Sequence, residues 1–173
     1  SDLLGLRVEE LLGLQSFPGV SGRLERVETA SDLDIFVDYA HTPDALENVL
    51  TALRQTGFSR IITVFGCGGD RDPGKRPLMG KAVGALSDIA VLTSDNPRHE
   101  DPEAIMDQVM PGLNGCPRVI READRREAIR LAIDAMRPGD ALLIAGKGHE
   151  TTQQIGDEKI PFSDQQTVRE LTA

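Results

Sequence analysis

Short apolar runs that alternate with helical patterns constrain the fold of this chain more than any other feature. Five runs have the length and apolarity of buried strands, namely residues 35–37, 61–65, 89–93, 119–120 and 141–145. Between them, apolar residues recur at helical spacing over residues 43–56, 75–86, 102–113 and 125–136. Near-continuous apolar strands separated by amphipathic helices are typical of a parallel sheet that is buried on both faces. The order therefore predicts an α/β fold with a mostly parallel sheet and helices on both faces.

A proline limits the third predicted helix. Within residues 102–113 we expect Ala104, Ile105 and Val109 to face inward. Pro111 lacks a backbone N–H and clashes with the preceding turn, so it should end or kink the helix.

The end of the chain has a different pattern. Residues 151–162 are predicted to form a small extended pair around Gly156 and Asp157. A last helix should follow, capped by Ser163 or Asp164.

Composition excludes several classes of protein. The formal net charge is -9, from 28 acidic and 19 basic residues, which argues against nucleic acid or an anionic membrane as the main partner. The 173 residues suffice for one domain with a real core. Cys67 and Cys116 are the only cysteines, so neither a disulfide framework nor a zinc site is supported. No apolar stretch approaches the roughly 18 to 20 residues of a membrane span, and we expect a cytoplasmic protein.

The first 18 residues differ in pattern from the rest of the chain. Residues 1–18 form an amphipathic leucine-rich pattern without an initial Met, and Pro18, Gly19 and Gly22 then punctuate a linker. We expect this segment to be the end of a preceding domain. A short N-terminal helix of a complete protein is the alternative.

A polar loop follows each of four predicted strands. These loops are residues 38–44, 66–72, 95–98 and 146–150. Because the carboxyl ends of parallel strands lie along one edge of a sheet, the loops should converge on one crevice, where ligands of such folds bind. Any one loop alone could be a solvated turn with capping residues, but four in register predict a binding site.

The loop Asp95-Asn96-Pro97-Arg98 is the stiffest of the four. Pro97 fixes its own φ and restricts Asn96 to extended geometry, so the Asn96 amide and the Arg98 guanidinium should be held in place. A planar guanidinium beside an amide suits a ligand carboxylate. We therefore expect a recognition loop.

The glycine-rich loop permits two other interpretations. Gly69, Gly74 and Lys75 match the spacing of a phosphate-binding loop, but Arg76 replaces the Ser or Thr that would hold Mg²⁺. The start of a dinucleotide fingerprint is also present, although its third glycine position is Arg71. We favour a loop whose glycines pass close to a ligand while Arg71 points into the crevice.

Arg71 has a second possible role. It could instead form a salt bridge with Asp70, Asp72 or Asp95.

Taken together, the loop sequences resemble a known family. DYAHTPD, FGCGGDRDPGKRPLMG, SDNPR and AGKGHE, in this order, are similar to the C-terminal domain of the Mur ligases, with DNPR typical of the diaminopimelate-adding type. The resemblance covers residues 19–173 and implies a Rossmann-like domain, with residues 1–18 ending the central ATPase domain or forming the linker. It implies ATP-dependent amide formation, in which the D-Glu carboxylate of UDP-MurNAc-L-Ala-D-Glu becomes an acyl phosphate that the amine of meso-diaminopimelate attacks.

The resemblance also assigns site residues. The implied pocket for meso-diaminopimelate comprises Arg71, Asp95, Asn96, Pro97, Arg98, Gly146 and Glu150. Glu150 would pair with an ammonium group of the amino acid. Meso-diaminopimelate has one carboxylate more than lysine, so lysine would leave a buried Arg98 unpaired. Charge-assisted hydrogen bonds of roughly 1.5 to 3 kcal/mol each allow discrimination on the order of 10⁴.

On the ATP side, the resemblance implies contacts from Arg23, Asp38 and His41 that form when the domains close. No catalytic residue is assigned with certainty, and no metal ligand is expected in this chain. His41 could instead satisfy backbone groups at the start of a helix.

Four other residues near these motifs receive minor roles or none. His149 would only orient its loop, and Lys147 could face solvent. His99 receives no role, and Cys67 is expected to be a small packed residue.

By this resemblance, a complete ligase would also carry an N-terminal UDP-sugar-binding domain and a central ATPase domain, and we expect both to be missing from this chain. The sequence contains no GKT or GKS phosphate loop, so ATP and Mg²⁺ would be bound mainly by a central domain that this chain lacks, and we expect the chain alone to be inactive. Two alternatives stay open. One is a free-standing amino-acid-binding module and the other is a Rossmann-type oxidoreductase.

Overall fold

The structure is a computed structural model that describes residues 22–30 and 33–173. The segment predicted to end a preceding domain, residues 1–18, lies outside the described residues. The strands are β1 Glu25–Arg26, β2 Asp34–Asp38, β3 Ile61–Phe65, β4 Ile89–Leu92, β5 Arg118–Arg121, β6 Ala141–Ala145, β7 Thr152–Ile155 and β8 Glu158–Pro161. The α-helices are α1 Pro43–Gln55, α2 Lys75–Leu86, α3 Pro102–Val109, α4 Arg125–Asp134 and α5 Asp164–Leu171.

Six of the strands form one sheet in the order β1-β2-β6-β3-β4-β5. Only β1 is antiparallel to its neighbour, and the other pairs are parallel. Strand β6 lies inside the sheet, and all five of its residues are buried. The prediction of a mostly parallel sheet is confirmed, and its carboxyl edge collects the ends of β2, β6, β3 and β4.

Helices cover both faces of this sheet, as predicted. One apolar cluster joins the sheet to α1, α2 and α3 through residues such as Leu50, Val83 and Ile105. A second cluster joins the other face to α4 and α5 through Ile129 and Val168. Burial on both faces explains why the strands are near-continuous apolar runs.

For helix α3, the predicted end is confirmed, but one of the three residues predicted to face inward is wrong. The α-helix ends at Val109 and continues as a 3₁₀ helix over Met110–Gly115, which contains Pro111. Ile105 and Val109 face the core as expected, but Ala104 is exposed and Met106 is buried in its place. The helix turns the longer apolar side chain inward because it fills more of the core.

The predicted extended pair is the antiparallel hairpin of β7 and β8. It forms a separate two-stranded sheet and contacts the recognition loop through a parallel bridge between Arg98 and Ile155. The last helix begins after Ser163, whose side-chain oxygen accepts a hydrogen bond from Gln166 N. The hairpin thereby lies beside the carboxyl edge of the large sheet.

Candidate functional site

The four strand-end loops converge on one cleft of about 410 Å³, as the sequence predicted. Residues from all four loops line it, with the start of α2 completing the wall. The lining comprises Tyr39, His41, Thr42, Gly66, Cys67, Gly68, Arg71, Asp72, Lys75, Arg76, Met79, Asp95, Asn96, Arg98, Gly146 and Glu150. Of the seven residues expected to bind the amino acid, only Pro97 is absent from this lining.

The glycine-rich loop packs directly on the recognition loop. A Cβ on Gly69 would lie 1.8 Å from the carbonyl oxygen of Pro97, and Gly69 N donates to Asn96 O over 2.9 Å. A Cβ on Gly66 would lie 2.4 Å from Thr93 O. The glycines were expected to let the backbone approach a ligand closely. At these two positions the backbone instead approaches the neighbouring loop.

The start of α2 does not resemble a phosphate-binding loop in its hydrogen bonds. Gly74 N donates to the carboxylate of Asp72 over 2.9 Å, and Lys75 N donates to Asp72 O over 3.3 Å. The amides that would hold phosphate are thus engaged, and a carboxylate stands beside them. This arrangement argues against the phosphate-loop interpretation.

Arg98 is held in a left-handed backbone conformation, with φ at 50°. Its Nη1 donates to Gly69 O over 2.8 Å, and a Cβ on Gly68 would lie 2.9 Å from that nitrogen. No carboxylate of the described residues pairs with this guanidinium. The same nitrogen also donates to Asn96 O over 3.5 Å, and the half-buried group lines the cleft.

Arg71 also lines the cleft and is exposed. Within residues 22–30 and 33–173 its guanidinium makes no ion pair, so the alternative salt bridge with Asp70, Asp72 or Asp95 is not formed. The cleft therefore presents two guanidinium groups without a carboxylate partner in the described chain, Arg71 and Arg98.

Asp95 contributes a buried carboxylate to the same cleft. Its side chain is packed so closely to Gly146 that a Cβ there would lie 2.5 Å from Oδ2 of Asp95. Gly146 has φ 117°, which a residue with a Cβ rarely adopts. Burial raises the pKa of Asp95, while the nearby charges of Arg125 and Lys147 oppose the shift.

Asn96, Lys147 and Glu150 form a closed hydrogen-bonded group. Asn96 donates from Nδ2 to Glu150 Oε2 over 3.0 Å, and Lys147 Nζ donates to Asn96 Oδ1 over 3.1 Å and to Glu150 Oε2 over 3.2 Å. Burial would raise the pKa of Glu150, but the bond from Asn96 and the charge of Lys147 lower it below its usual value. Glu150 is therefore ionised where it borders the cleft.

The expectation that Lys147 could face solvent is wrong. Its side chain is fully buried, and its ammonium is satisfied by Asn96 and Glu150. Glu150 is close to Lys147 in the sequence, but a lysine in a glycine-rich loop is ordinarily solvated, and only the fold brings Asn96 to it.

A buried ion pair lies behind the site. Arg125 and Asp164 are both fully buried and contact each other through two hydrogen bonds of 2.8 and 2.9 Å. Arg125 also donates to Ala145 O over 3.0 Å, at the end of β6, and to Ser94 O over 3.5 Å. The pair thus connects the two strand ends that carry Asp95 and Gly146. No sequence motif marked either residue.

The residues expected on the ATP side lie together near β1 and β2. Both carboxylate oxygens of Asp38 accept backbone N–H groups, from Leu24 over 2.6 Å and from Ala40 over 2.7 Å. Arg23 is exposed in the same segment. His41 lines the cleft, and its Nδ1 lies 2.8 Å from Tyr39 O, which agrees with the local backbone role that the sequence left open.

Two histidines have contacts that the sequence did not indicate. The ring of His149 packs on Tyr39 at 5.6 Å between centroids. His99 lies between Asp70 and Asp157, at 2.8 and 3.2 Å. His99 thereby connects the glycine-rich loop to the turn of the β7–β8 hairpin.

Cys67 is buried, and burial raises the pKa of its thiol to about 12, which suits a packed residue and not a nucleophile.

In the described part of the chain, no group of three or more His, Cys, Asp or Glu side chains is arranged to hold a metal ion. None of the helices in residues 22–30 and 33–173 has both the length and the apolarity needed to cross a membrane.

Comparison with known proteins agrees with this architecture. A family model described as "Mur ligase, glutamate ligase domain" matches residues 22–148. The chain is 66% identical over 168 residues to a UDP-N-acetylmuramoyl-L-alanyl-D-glutamate–2,6-diaminopimelate ligase of Lawsonia intracellularis, with 97% of this chain and 35% of the relative covered. It is 47% identical to the enzyme of the same name from Caldanaerobacter subterraneus, with 100% of this chain and 36% of the relative covered.

Solved structures give the same result. A structure of a UDP-N-acetylmuramoyl-L-alanyl-D-glutamate–2,6-diaminopimelate ligase matches with a TM-score of 0.79 at 40% identity, over 97% of this chain and 35% of that one. A folylpolyglutamate synthase of Mycobacterium tuberculosis, solved with ADP, matches with a TM-score of 0.57 at 26% identity, over 74% and 30%. The chain spans about a third of the length of these relatives. By its sequence and by its fold, this chain belongs to the Mur ligase family, through the glutamate ligase domain.

Proposed function

We propose that this chain is the amino-acid-binding C-terminal domain of an ATP-dependent amide ligase, which adds meso-diaminopimelate to UDP-MurNAc-L-Ala-D-Glu in cell-wall synthesis. Residues 19–173 form this domain, and residues 1–18 belong to the end of the central domain or to the linker. The protein is cytoplasmic in this proposal, and its other domains are its main partners.

The charge pattern of the cleft is the observation that carries the proposal. Two guanidinium groups, of Arg71 and Arg98, have no carboxylate partner in the described chain, and the carboxyl groups of Asp95 and Glu150 line the same cleft. The two carboxylates of meso-diaminopimelate suit these guanidinium groups, and its ammonium groups suit the carboxyl oxygens of Asp95 and Glu150. Charge-assisted hydrogen bonds of this kind are roughly twice as strong as neutral ones.

Selectivity against lysine follows from the same pattern. Lysine lacks the second carboxylate, so it would leave one of the cleft's guanidinium groups without a partner and partly desolvated. We propose that the second carboxylate binds Arg98. The guanidinium of Arg98 is held in place by its hydrogen bond to Gly69 O, whereas the side chain of Arg71 is exposed. Losing a charged hydrogen bond of roughly 1.5 to 3 kcal/mol lowers affinity about 10- to 150-fold.

The residues of this chain fit only a minor part of an ATP site. The amides at the start of α2 are engaged by Asp72, and no cluster of metal-ligating side chains is present in the described residues. We assign to Arg23, Asp38 and His41 the contacts with the nucleotide that form once another domain supplies its phosphate site. When bound, ATP supplies the phosphoryl group that activates the carboxylate for amide formation. These 173 residues alone should not hydrolyse ATP, and steady turnover by the purified chain would overturn this part of the proposal.

Calorimetric titration of the chain with meso-diaminopimelate and with L-lysine tests the proposal. We expect tighter binding of meso-diaminopimelate, and we expect Arg98→Ala to remove most of that preference. An Arg118→Ala variant is the control, because Arg118 is exposed on the edge strand β5. Equal affinity of the unchanged chain for both amino acids would contradict the proposal.

A free-standing amino-acid-binding module is the second candidate, since the cleft lies within the described residues of this one chain. It predicts tight binding of meso-diaminopimelate without any other domain. The oxidoreductase alternative is not retained, because the chain belongs to a ligase family and its glycines pack on the neighbouring loop.

A further inference from the structure

We propose that strand β7 is a positioning element for the recognition loop Asp95-Asn96-Pro97-Arg98, and that Gln153 is the side chain through which it sets amino-acid selectivity. The inference rests on the proposed function. It concerns a segment beyond the part that the family model matches, which ends at residue 148.

Strand β7 contacts three of the four residues of the recognition loop. Gln153 donates from Nε2 to the carbonyl oxygen of Asp95 over 2.6 Å, and the Gln153 side chain is buried. Gln154 donates from its backbone N to Oδ1 of Asn96 over 2.9 Å. The strand therefore reaches both the backbone and a side chain of this loop.

The contacts continue at Arg98. Its backbone N donates to Gln154 O over 3.1 Å, and its carbonyl oxygen accepts from Gly156 N over 2.7 Å. These bonds hold Arg98 on both sides of its Cα. The hairpin and the recognition loop thus share four hydrogen bonds over a few consecutive residues.

The backbone of Arg98 explains why such support is needed. A left-handed φ of 50° is unfavourable for a residue with a Cβ and persists only where the surroundings determine it. This conformation places the guanidinium beside Gly68, with Nη1 on Gly69 O. If β7 released the loop, Arg98 would relax to an ordinary φ, and the guanidinium would leave that position.

Among the contacts that β7 makes with the recognition loop, the one from the Gln153 side chain can be removed by a substitution. The other contacts of β7 are made by backbone groups, which substitution does not remove. Gln153→Glu keeps the shape but replaces the donor with a carboxylate that faces a carbonyl oxygen. Gln153→Met keeps the length without a donor or a charge, so it serves if the charged variant does not fold.

The experiment has two readouts on the intact 173-residue chain. Amide hydrogen exchange at Arg98 and Gly156, measured by NMR, reports whether β7 holds the loop. Calorimetry with meso-diaminopimelate and with L-lysine reports the ratio of the two affinities. Gln55→Glu is the matched control, because Gln55 is exposed at the end of α1.

In both Gln153 variants we expect exchange at Arg98 to accelerate about tenfold or more, the effect of one lost hydrogen bond. The ratio of affinities should fall by about the same factor, while Gln55→Glu changes neither quantity. Unchanged exchange would overturn the inference, and so would faster exchange with an unchanged ratio, which would leave β7 a structural support only. An unchanged chain without preference between the amino acids would instead overturn the proposed function, and the exchange rates would still test the role of β7.

Discussion

Lys147 donates a hydrogen bond from its fully buried ammonium group to Oδ1 of Asn96 over 3.1 Å. This bond and the one from Gln154 N to the same oxygen, over 2.9 Å, set which way the amide of Asn96 points, because a carbonyl oxygen and not an NH₂ group must face these donors. The NH₂ group is then left to donate to Glu150. A buried charge thus orients two residues that border the cleft.

Replacing Lys147 with Met tests this relationship. Without the ammonium, Glu150 loses a positive charge that lowers its pKa and also loses one hydrogen-bond donor. The pKa of Glu150 should therefore rise, and its side chain should become more mobile. We expect affinity for meso-diaminopimelate to fall about tenfold, the effect of one charged hydrogen bond. Calorimetry measures the change, with Lys159→Met on the exposed strand β8 as the control. Undiminished affinity in Lys147→Met would show that the buried ammonium does not matter for binding.

Gly146→Ala should damage the site through a direct clash. The new Cβ would lie 2.5 Å from Oδ2 of Asp95, and φ of 117° adds backbone strain. A strained backbone of this kind costs about 1 to 3 kcal/mol, so we expect a loss of stability of at least that size in urea unfolding, together with weaker binding of meso-diaminopimelate.

Gly57→Ala provides a matched comparison for that variant. Gly57 also has a positive φ, of 87°, but a Cβ there would meet open space, and the residue does not line the cleft. It should lose stability through backbone strain alone and leave binding less affected. Equal effects of both variants on binding would mean that contact with Asp95 is not the cause.

Asp164→Asn should destabilise the fold strongly. Asp164 and Arg125 are fully buried, and removal of one partner leaves the other as an uncompensated buried charge. Such changes cost roughly 3 to 5 kcal/mol, which urea unfolding can measure. Glu170→Gln is the control, since it breaks an exposed pair with Arg126 between the same two helices, and such pairs contribute little. Similar losses for both variants would contradict this account.

The contact of His99 with Asp70 and Asp157 predicts a pH dependence. Hydrogen bonds to these carboxylates, with that of Asp70 the larger cause, raise the pKa of His99 above its ordinary value. A group whose pKa is raised by folding contributes stability that is complete below the unfolded pKa and is lost as the pH rises through the folded pKa. The attachment of the hairpin turn should therefore weaken as the pH rises above about 6.5.

An NMR titration of the His99 ring measures this effect. The midpoint should lie above the value for an unperturbed histidine, and Asp157→Asn should lower it. Glu158→Gln, one residue further along, is the control because Glu158 is exposed and the ion pairs of His99 in the described chain are with Asp70 and Asp157. A midpoint that does not respond to Asp157→Asn would rule out the ion pair in solution.

Much of the fold was predictable because it depends on local patterns. The apolar runs marked every strand from β2 to β6, although residues 119–120 proved to be the middle of Arg118–Arg121. Pro111 correctly marked the end of an α-helix, because the missing N–H of proline acts locally. Ala104 was placed wrongly, because a helix with several small and apolar residues can rotate, and only the depth of the core selects Met106.

In the candidate site, too, some features could be predicted from the sequence and others could not. That the four loops meet at one edge follows from a parallel sheet, so the cleft could be expected from the order of the strands alone. The environment of Lys147, the role of His99 between two carboxylates and the Arg125–Asp164 pair could not be expected. Apart from Glu150, which is three residues after Lys147, their partners are far away in the chain, and sequence patterns describe only neighbours within a strand or a helical turn.

The sequence by itself determined the class of fold, the edge of the sheet that holds the cleft, and the residue types that the cleft presents. Local spacing, the conformational limits of proline and glycine, and the parallel topology are sufficient for these. Only the tertiary structure decided which charges are paired and which are left for a ligand. Arg71 and Arg98 remain without a carboxylate in the described chain while Arg125 and Lys147 are neutralised. Pairing depends on distances of a few ångströms between distant segments, which are settled when the loops pack against one another.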